Sequence, residues 1–191
     1  MPSNGTDVQR LFFALWPDEA VRAALWHAAQ GAAASTGRGR PTARENLHLT
    51  LAFVGSVAPA TAACLRAGAA RIRGEPFDLR LDTYGQFPRA GVMWLGSAEP
   101  PAALLSLAEA LGGVLQACEL DPPRASFHPH VTLWRRIALR RRVRAVPPAP
   151  AAPIVWPVRE FVLVASKTHP EGVRYEVLER WPLRSGAGAE G

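Results

Sequence analysis

The feature that most constrains this 191-residue chain is a short pattern, histidine–apolar–threonine–apolar, that occurs twice and 82 residues apart. Residues 47–51 read Leu-His-Leu-Thr-Leu, and residues 129–133 read Pro-His-Val-Thr-Leu. Because successive side chains on a β-strand point to opposite faces, each copy predicts a strand with an aliphatic core face. The opposite face of each strand then presents one imidazole and one hydroxyl group.

Patterns typical of helices and strands surround both motifs, and together they predict an α+β domain. Helices are expected at 18–34, 59–72 and 101–118. Strands are expected at 10–16, 47–54, 77–87, 92–96, 130–134, 158–166 and 173–183. Gly55 is expected to end the second of these strands, and 88–91 and 167–172 are expected to form hairpin turns.

The length of the chain and its ends bound its organisation. A chain of 191 residues can form one ordinary domain with its own core, which we expect at 9–184. Residues 1–8 and 185–191 are small and polar, and they are expected to be flexible tails. The Pro- and Ala-rich stretch 146–153 is expected to be an exposed loop, and the protein is expected to be a monomer.

The charge of the chain favours anionic partners. The formal net charge is +6, and Lys167 is the only lysine among the basic residues. The planar guanidinium group of arginine suits phosphate, so the composition points to nucleic acid or nucleotides. A GC-rich genome, in which arginine and alanine codons are frequent, would explain the same composition without any ligand.

Two further features concern the compartment. Cys64 and Cys118 lie in Ala- and Leu-rich stretches without metal-ligand spacing, so both are expected to be buried free thiols of a reducing compartment. The first residues lack the regions of a signal peptide, and no apolar run approaches the roughly 18 residues of a membrane span. The sequence therefore predicts a cytoplasmic protein without a membrane partner.

The two motifs together indicate chemistry at phosphorus. Two similar strands packed about a pseudo-twofold axis would bring His48 and His130 into one cleft. One imidazole would then take the proton of an entering water, and the other would protonate a departing ribose oxygen. The hydroxyls of Thr50 and Thr132, with a nearby guanidinium group, would hold the other phosphate oxygens. This arrangement requires no metal and no cofactor.

At these residues the chain resembles the 2H phosphoesterase superfamily, and within it the bacterial RNA 2′,3′-cyclic phosphodiesterases, a family also named for 2′-5′ RNA ligase activity. The resemblance covers nearly the whole chain and includes residues 10–14, 46–53, 85–87, 94–96, 127–133 and 174–175. It implies a bilobal α+β fold with two pseudo-symmetric lobes of antiparallel sheet around a central cleft. It also implies metal-free opening of an RNA 2′,3′-cyclic phosphate to a 2′-phosphate, with 2′-5′ ligation as the reverse step.

The resemblance assigns roles to particular residues. It implies that His48 and His130 are catalytic, and that Thr50, Thr132 and Arg135 bind the phosphate. We expect His130 to activate the water and His48 to protonate the 3′-oxygen, and the near-symmetry of the motifs leaves the opposite assignment open.

Three other residues are candidates for supporting roles. His128 is expected to support the loop before the second motif, and Phe13 or Phe87 to stack on the terminal base. A zinc site that includes His128 and His130 is disfavoured, because no nearby Cys, Asp or Glu completes a ligand set.

The residues leave two alternatives to RNA hydrolysis. The first is a cyclic phosphodiesterase that acts on small nucleotides, and the second is a non-catalytic module that binds RNA ends. A structural protein with a duplicated fold is a further possibility, and an apolar filling around both histidines would support it.

Overall fold

A largely antiparallel sheet covered by helices on one face dominates the computed structural model, which describes residues 8–36, 39–122, 126–137, 147, 149–150, 152–170 and 172–184. Within these residues the helices are α1 (Glu19–Gly31), α2 (Pro59–Ala69) and α3 (Ala102–Ala117). The strands are β1 (Gln9–Leu15), β2 (Arg40–Pro41), β3 (Leu49–Val57), β4 (Phe77–Leu81), β5 (Thr83–Phe87), β6 (Val92–Gly96), β7 (His130–Arg135), β8 (Ile154–Val158), β9 (Glu160–His169) and β10 (Gly172–Pro182). The predicted α+β class is confirmed.

The main sheet consists of two halves joined at a single point. Its strand order is β10-β9-β1-β3-β7-β6-β5, with β2 paired to the edge of β7. We call β10-β9-β1-β3 the first lobe and β7-β6-β5 with β2 the second lobe. Between the lobes, β3 and β7 pair only through Leu49 and Val131. Each lobe therefore contributes one motif strand to the junction, as the bilobal prediction requires.

The core lies between the sheet and the helices. Leu49 and Leu51 of β3, and Val131 and Leu133 of β7, are buried there. Helix α3 packs on β3 and on α2, whereas α1 packs on β7 and β8. The helices therefore cover the aliphatic face of both motif strands, and the face with the histidines and threonines stays uncovered.

Helix α1 shows why the sequence forms these elements. The carboxylate of Asp18 accepts a hydrogen bond of 2.8 Å from the backbone N–H of Val21, which caps the first turn. Val21, Leu25 and Ala29 follow at four-residue spacing, and all three are buried. The helix ends at Gly31, and residues 33–35 continue as a 3₁₀ turn rather than as the predicted last helical turn.

Two strand predictions were wrong in their bounds. Strand β3 does not end at Gly55, since it continues to Val57 and Gly55 adopts φ +89° inside it. The pairing of β1 with β3 shifts register at this point, which is a β-bulge and needs the left-handed freedom of glycine. The predicted strand 77–87 is two strands, and β4 leaves the main sheet to pair with β8.

The prediction of free thiols was also wrong, because Cys64 and Cys118 form a disulfide. Cys64 lies on α2, and Cys118 lies at the C-terminal end of α3. The two helices pack so closely that a Cβ on Gly68 would lie 2.6 Å from Val114. This packing makes neighbours of two cysteines separated by 54 residues, which no local spacing could indicate.

Several predictions fall wholly or partly outside the described residues. Residues 1–7 and 185–191 of the predicted tails, and 148 and 151 of the predicted loop, are among the residues not described. The domain bounds 9–184 and the monomeric state stay predictions. In the described part of the chain, no helix combines the length and apolar character that crossing a membrane requires.

Candidate active site

The two motifs meet at the junction between the lobes. Leu49 and Val131 pair across the antiparallel strands and point into the core. Their neighbours in sequence are on the opposite face, where His48 lies alongside Thr132 and Thr50 lies alongside His130. These four polar residues are half-buried, whereas the aliphatic residues between them are buried. The predicted alternation of the motifs is therefore confirmed.

Backbone carbonyl groups fix the orientation of both imidazoles. Nδ1 of His48 donates to the carbonyl oxygen of Asn46 at 2.7 Å, and Nδ1 of His130 donates to that of His128 at 2.7 Å. A carbonyl oxygen only accepts, so Nδ1 carries the proton in each ring. When an imidazole is neutral, its Nε2 is therefore the unprotonated, basic nitrogen.

Aromatic side chains enclose His48. Its ring centroid lies 4.9 Å from that of Phe12 and 5.1 Å from that of Tyr175, which meets it edge to face. Trp16 stacks on the imidazole at 5.6 Å with an interplanar angle of 17°. Nε2 of His48 lies 3.1 Å from Oγ1 of Thr50, whose hydroxyl group donates to the neutral ring. His48 is thus held on several sides.

His130 lies in a related but different environment. The ring of Phe87 meets it edge to face at 5.0 Å, and Trp94 lies 6.1 Å away. The third neighbouring ring belongs to His128, at 6.0 Å. No hydrogen bond to Nε2 of His130 is present among the described residues, so this nitrogen has no counterpart to the Thr50 contact.

Burial and neighbouring cations disfavour the protonated form of both histidines. Burial lowers the pKa of His48 to about 4, and the charges of Arg135, His130 and Arg22 act in the same direction. Burial also lowers the pKa of His130, though less strongly, and His128 and Arg135 add to that effect. Both imidazoles are therefore neutral at pH 7 in the unliganded protein.

Arg135 is the cation common to the two halves. It lies at the end of β7 and is exposed, and its charge lowers the pKa of both His48 and His130. A phosphate group between the two Nε2 atoms would lie within the field of this guanidinium group. The position of Arg135 is consistent with its predicted contact to phosphate.

One stacking prediction was wrong and one remains. Phe13 has no exposed surface and packs against Phe161 and Trp181 in the core. Because successive side chains of β1 point to opposite faces, it is Phe12 that lies on the face with His48. Phe87 does lie at the site, against His130 and His128. His128 contributes the carbonyl that holds His130, and its own ring is close to Trp94 at 4.6 Å.

Sequence reasoning assigned no role at the site to Trp16 or to Arg22. The guanidinium group of Arg22 donates to the carbonyls of Pro17, Arg44 and Glu45 at 3.0 to 3.2 Å, and it lies 5.5 Å from the Trp16 ring centroid. Arg22 thereby ties the start of α1 to the turn that precedes His48. A tryptophan directly after a strand is only a weak sequence signal for a site residue. The contacts of Arg22 with Arg44 and Glu45 join residues 22 and 23 positions apart, which local sequence patterns do not reveal.

Metal ligands are not assembled near the motifs. Across the described ranges of the chain, no group of three or more His, Cys, Asp or Glu side chains is arranged to hold a metal ion. The chemical groups that the site offers are two imidazoles, two hydroxyls and a guanidinium group.

Comparison with known proteins gives a consistent result. A family model described as the 2′-5′ RNA ligase superfamily matches residues 17–170. The RNA 2′,3′-cyclic phosphodiesterase of Escherichia coli strain K12 is 37% identical over 93% of this chain and 98% of that protein. A protein of the same name from Thermus thermophilus is 36% identical over 95% of this chain and 93% of that protein.

Solved structures agree with the sequence matches. The crystal structure of E. coli LigT complexed with 3′-AMP superposes with a TM-score of 0.84 at 36% identity, covering 94% of this chain and all of that one. Its apo form gives a TM-score of 0.83 and covers 93% of this chain and 99% of that one. The similarity thus extends over both lobes and both motifs.

Proposed function

The chain belongs to the 2′-5′ RNA ligase superfamily, and from this premise we propose that it hydrolyses the 2′,3′-cyclic phosphate at RNA ends to a 2′-phosphate without a metal. One observation carries the proposal. Two Nδ1-protonated imidazoles flank a single bridge between two lobes, and both present Nε2 on the uncovered face. Curated relatives named RNA 2′,3′-cyclic phosphodiesterase support the substrate class.

The reaction is an in-line displacement at phosphorus. The oxygen of a water molecule bonds to phosphorus, and the bond from phosphorus to the ribose 3′-oxygen breaks. One imidazole accepts a proton from the water, and the other donates a proton to the 3′-oxygen. The phosphate stays on the 2′-oxygen, and Thr50, Thr132 and Arg135 hold its remaining oxygens. When a ribose 5′-hydroxyl attacks phosphorus in place of water, the same bond to the 3′-oxygen breaks and the product is a 2′-5′ phosphodiester, which is 2′-5′ ligation.

The pKa order of the two histidines favours an assignment opposite to the sequence-based expectation. A general base must be neutral and a general acid must be protonated, so the group with the lower pKa suits the base. His48 has the lower pKa. We therefore assign the base to His48 and the acid to His130. The negative charge of a bound phosphate raises both pKa values and so favours the protonated acid.

The test of the function is an assay on a short RNA that ends in a 2′,3′-cyclic phosphate, in the presence of EDTA. The expected product is a 2′-phosphate, separated from the 3′-phosphate isomer by chromatography. His48→Ala and His130→Ala proteins should lose this product. Wild-type protein that binds the RNA without product would instead support the non-catalytic module. Loss of activity in EDTA, restored by a divalent ion, would contradict the metal-free reaction.

Small cyclic nucleotides are a second candidate substrate class. A relative with 36% identity has been crystallised with the mononucleotide 3′-AMP. The reaction at phosphorus is the same for either class, so the motifs do not separate them. The two substrate classes can be separated by comparing kcat/KM for a nucleoside 2′,3′-cyclic phosphate with kcat/KM for an RNA that has the same end.

A further inference from the structure

A cavity of about 510 Å³ adjoins the two motifs at the end of β7. Its walls come from β2, from the 3₁₀ turn before His48 and from the beginning of β10. Four arginines and one carboxylate are in these walls, namely Arg40, Arg135, Arg136, Arg174 and Glu45. The cavity therefore carries an excess of positive charge next to the predicted catalytic centre.

The arrangement of these charges is unfavourable without an anion. Arg40 and Arg135 are directly opposite each other in the antiparallel pairing of β2 with β7. Like charges in that position repel each other and destabilise the pair of strands. Within the described residues, the guanidinium groups of Arg40, Arg135 and Arg136 form no hydrogen bond or ion pair. An anion between them would remove the repulsion.

The cavity is continuous with the predicted catalytic centre. Asn46 and Tyr175 line it, and the same two residues contact His48 through a 2.7 Å hydrogen bond and an edge-to-face ring contact at 5.1 Å. Arg135 is three positions beyond Thr132 on β7, which is about 10 Å along a strand. The cavity therefore lies directly beside the position that the reacting phosphate would occupy between the two imidazoles.

We propose that this cavity is a second phosphate subsite, which binds the phosphodiester on the 5′ side of the terminal nucleotide. The inference rests on the proposed function and deepens it. An RNA whose cyclic phosphate lies between the imidazoles continues only from its 5′ side, so that phosphodiester is its next anion. Guanidinium groups match phosphate oxygens with paired donors. The preferred substrate class is therefore an oligonucleotide end rather than a mononucleotide.

The test compares three substrates at low ionic strength. These are a nucleoside 2′,3′-cyclic phosphate, the same compound with a 5′-phosphate, and a dinucleotide with the same cyclic end. Wild-type kcat/KM should be about tenfold or more higher for the two substrates that carry the upstream phosphate. The advantage should fall as salt rises, with a slope in log–log form of about −0.7 per phosphate contact.

The variant that tests the subsite is Arg40→Gln combined with Arg136→Asn. Arg136 has φ +55°, a conformation that asparagine tolerates better than most residues, so the loss of charge need not strain the backbone. This protein should hydrolyse the unphosphorylated nucleoside substrate as before and lose most of the dinucleotide advantage. Arg71→Gln is the matched control, because Arg71 is exposed just after α2 and outside the cavity.

Each outcome is decisive for one of the two proposals. Equal wild-type kcat/KM for all three substrates would overturn the subsite, and so would an unchanged preference in the double variant. A preference for the dinucleotide without any gain from the 5′-phosphate would assign the effect to the second base and also overturn it. Absence of hydrolysis of every substrate by wild-type protein would reject the proposed function instead.

Discussion

The two histidines occupy equivalent positions in the two lobes, but their surroundings differ. Each donates Nδ1–H to a carbonyl two residues earlier, and each meets one aromatic ring edge to face at about 5 Å, Tyr175 or Phe87. Only His48 is also stacked by a tryptophan and bonded through Nε2 to a threonine. The repeated motif therefore fixes tautomer and direction, whereas the surroundings fix the pKa.

This difference separates two chemically identical groups. The more enclosed His48 has a pKa of about 4, and the more open His130 keeps a higher one. Acid–base catalysis needs one neutral and one protonated group at the same pH. An unequal environment supplies that inequality without any change in the motif itself.

The largest expected effect is the loss of either imidazole. His48→Ala and His130→Ala should each lower kcat by about a hundredfold or more, because general acid and general base catalysis are each worth that much. The measurement is single-turnover hydrolysis of an RNA 2′,3′-cyclic phosphate. Activity within tenfold of wild type in either variant would contradict a two-histidine mechanism.

A substrate with an activated leaving group sharpens this comparison. In a 3′-deoxynucleoside 2′-(4-nitrophenyl phosphate), nitrophenolate departs without a proton and needs no general acid. With His130 as the acid, His130→Ala should recover at least about tenfold relative to His48→Ala on this substrate. Recovery of His48→Ala instead would restore the assignment expected from the sequence, with His130 as the base.

The sequence could predict the motif faces but not the environment of each imidazole. Alternation alone places His48 and Thr50 opposite Leu49, because it is a property of a single strand. Whether Phe12 or Phe13 lies against His48 depends on which face of β1 the helices cover, and both phenylalanines are buried. The disulfide and the contacts of Arg22 depend on packing between distant segments, which local periodicity does not contain.

The next largest effect is expected for Arg135, the cation that acts on both histidines. Arg135→Gln should lower kcat/KM about 10- to 100-fold through the loss of a phosphate-holding donor. Loss of a positive charge raises the pKa of a nearby imidazole, so both limbs of the pH profile should move to higher pH. Arg135→Lys should keep the wild-type pH profile and recover only part of the rate. A shift of one limb alone would show that Arg135 serves one lobe.

A smaller effect, on pH dependence, should distinguish the two lobes. Both pKa values lie below the usual 6.5, so the bell-shaped profile of kcat/KM should be centred below pH 6.5. Trp16→Ala should admit water to His48 and raise its pKa by about one unit, so the limb of the profile on the acidic side should shift to higher pH. Phe87→Leu should act on His130 and move the other limb. NMR titration of the two imidazoles provides the direct measurement, and equal shifts of both resonances in both variants would contradict separate environments.

The smallest effect on activity is expected from the disulfide, which is present behind only one of the two motif strands. Cys64–Cys118 joins α2 to α3, and α3 packs on β3, whereas β7 is backed by α1. Because the bond closes a long loop, a Cys64→Ser/Cys118→Ser protein should lose about 2–4 kcal/mol of unfolding free energy. Its kcat at 25 °C should remain within about twofold of wild type, because the imidazole contacts are on the opposite face of the sheet. Thermal unfolding with and without reductant measures the first quantity. A kcat loss confined to the reduced protein, with the His48 resonance shifted and the His130 resonance unchanged, would show that the helix layer of the first lobe also controls its histidine.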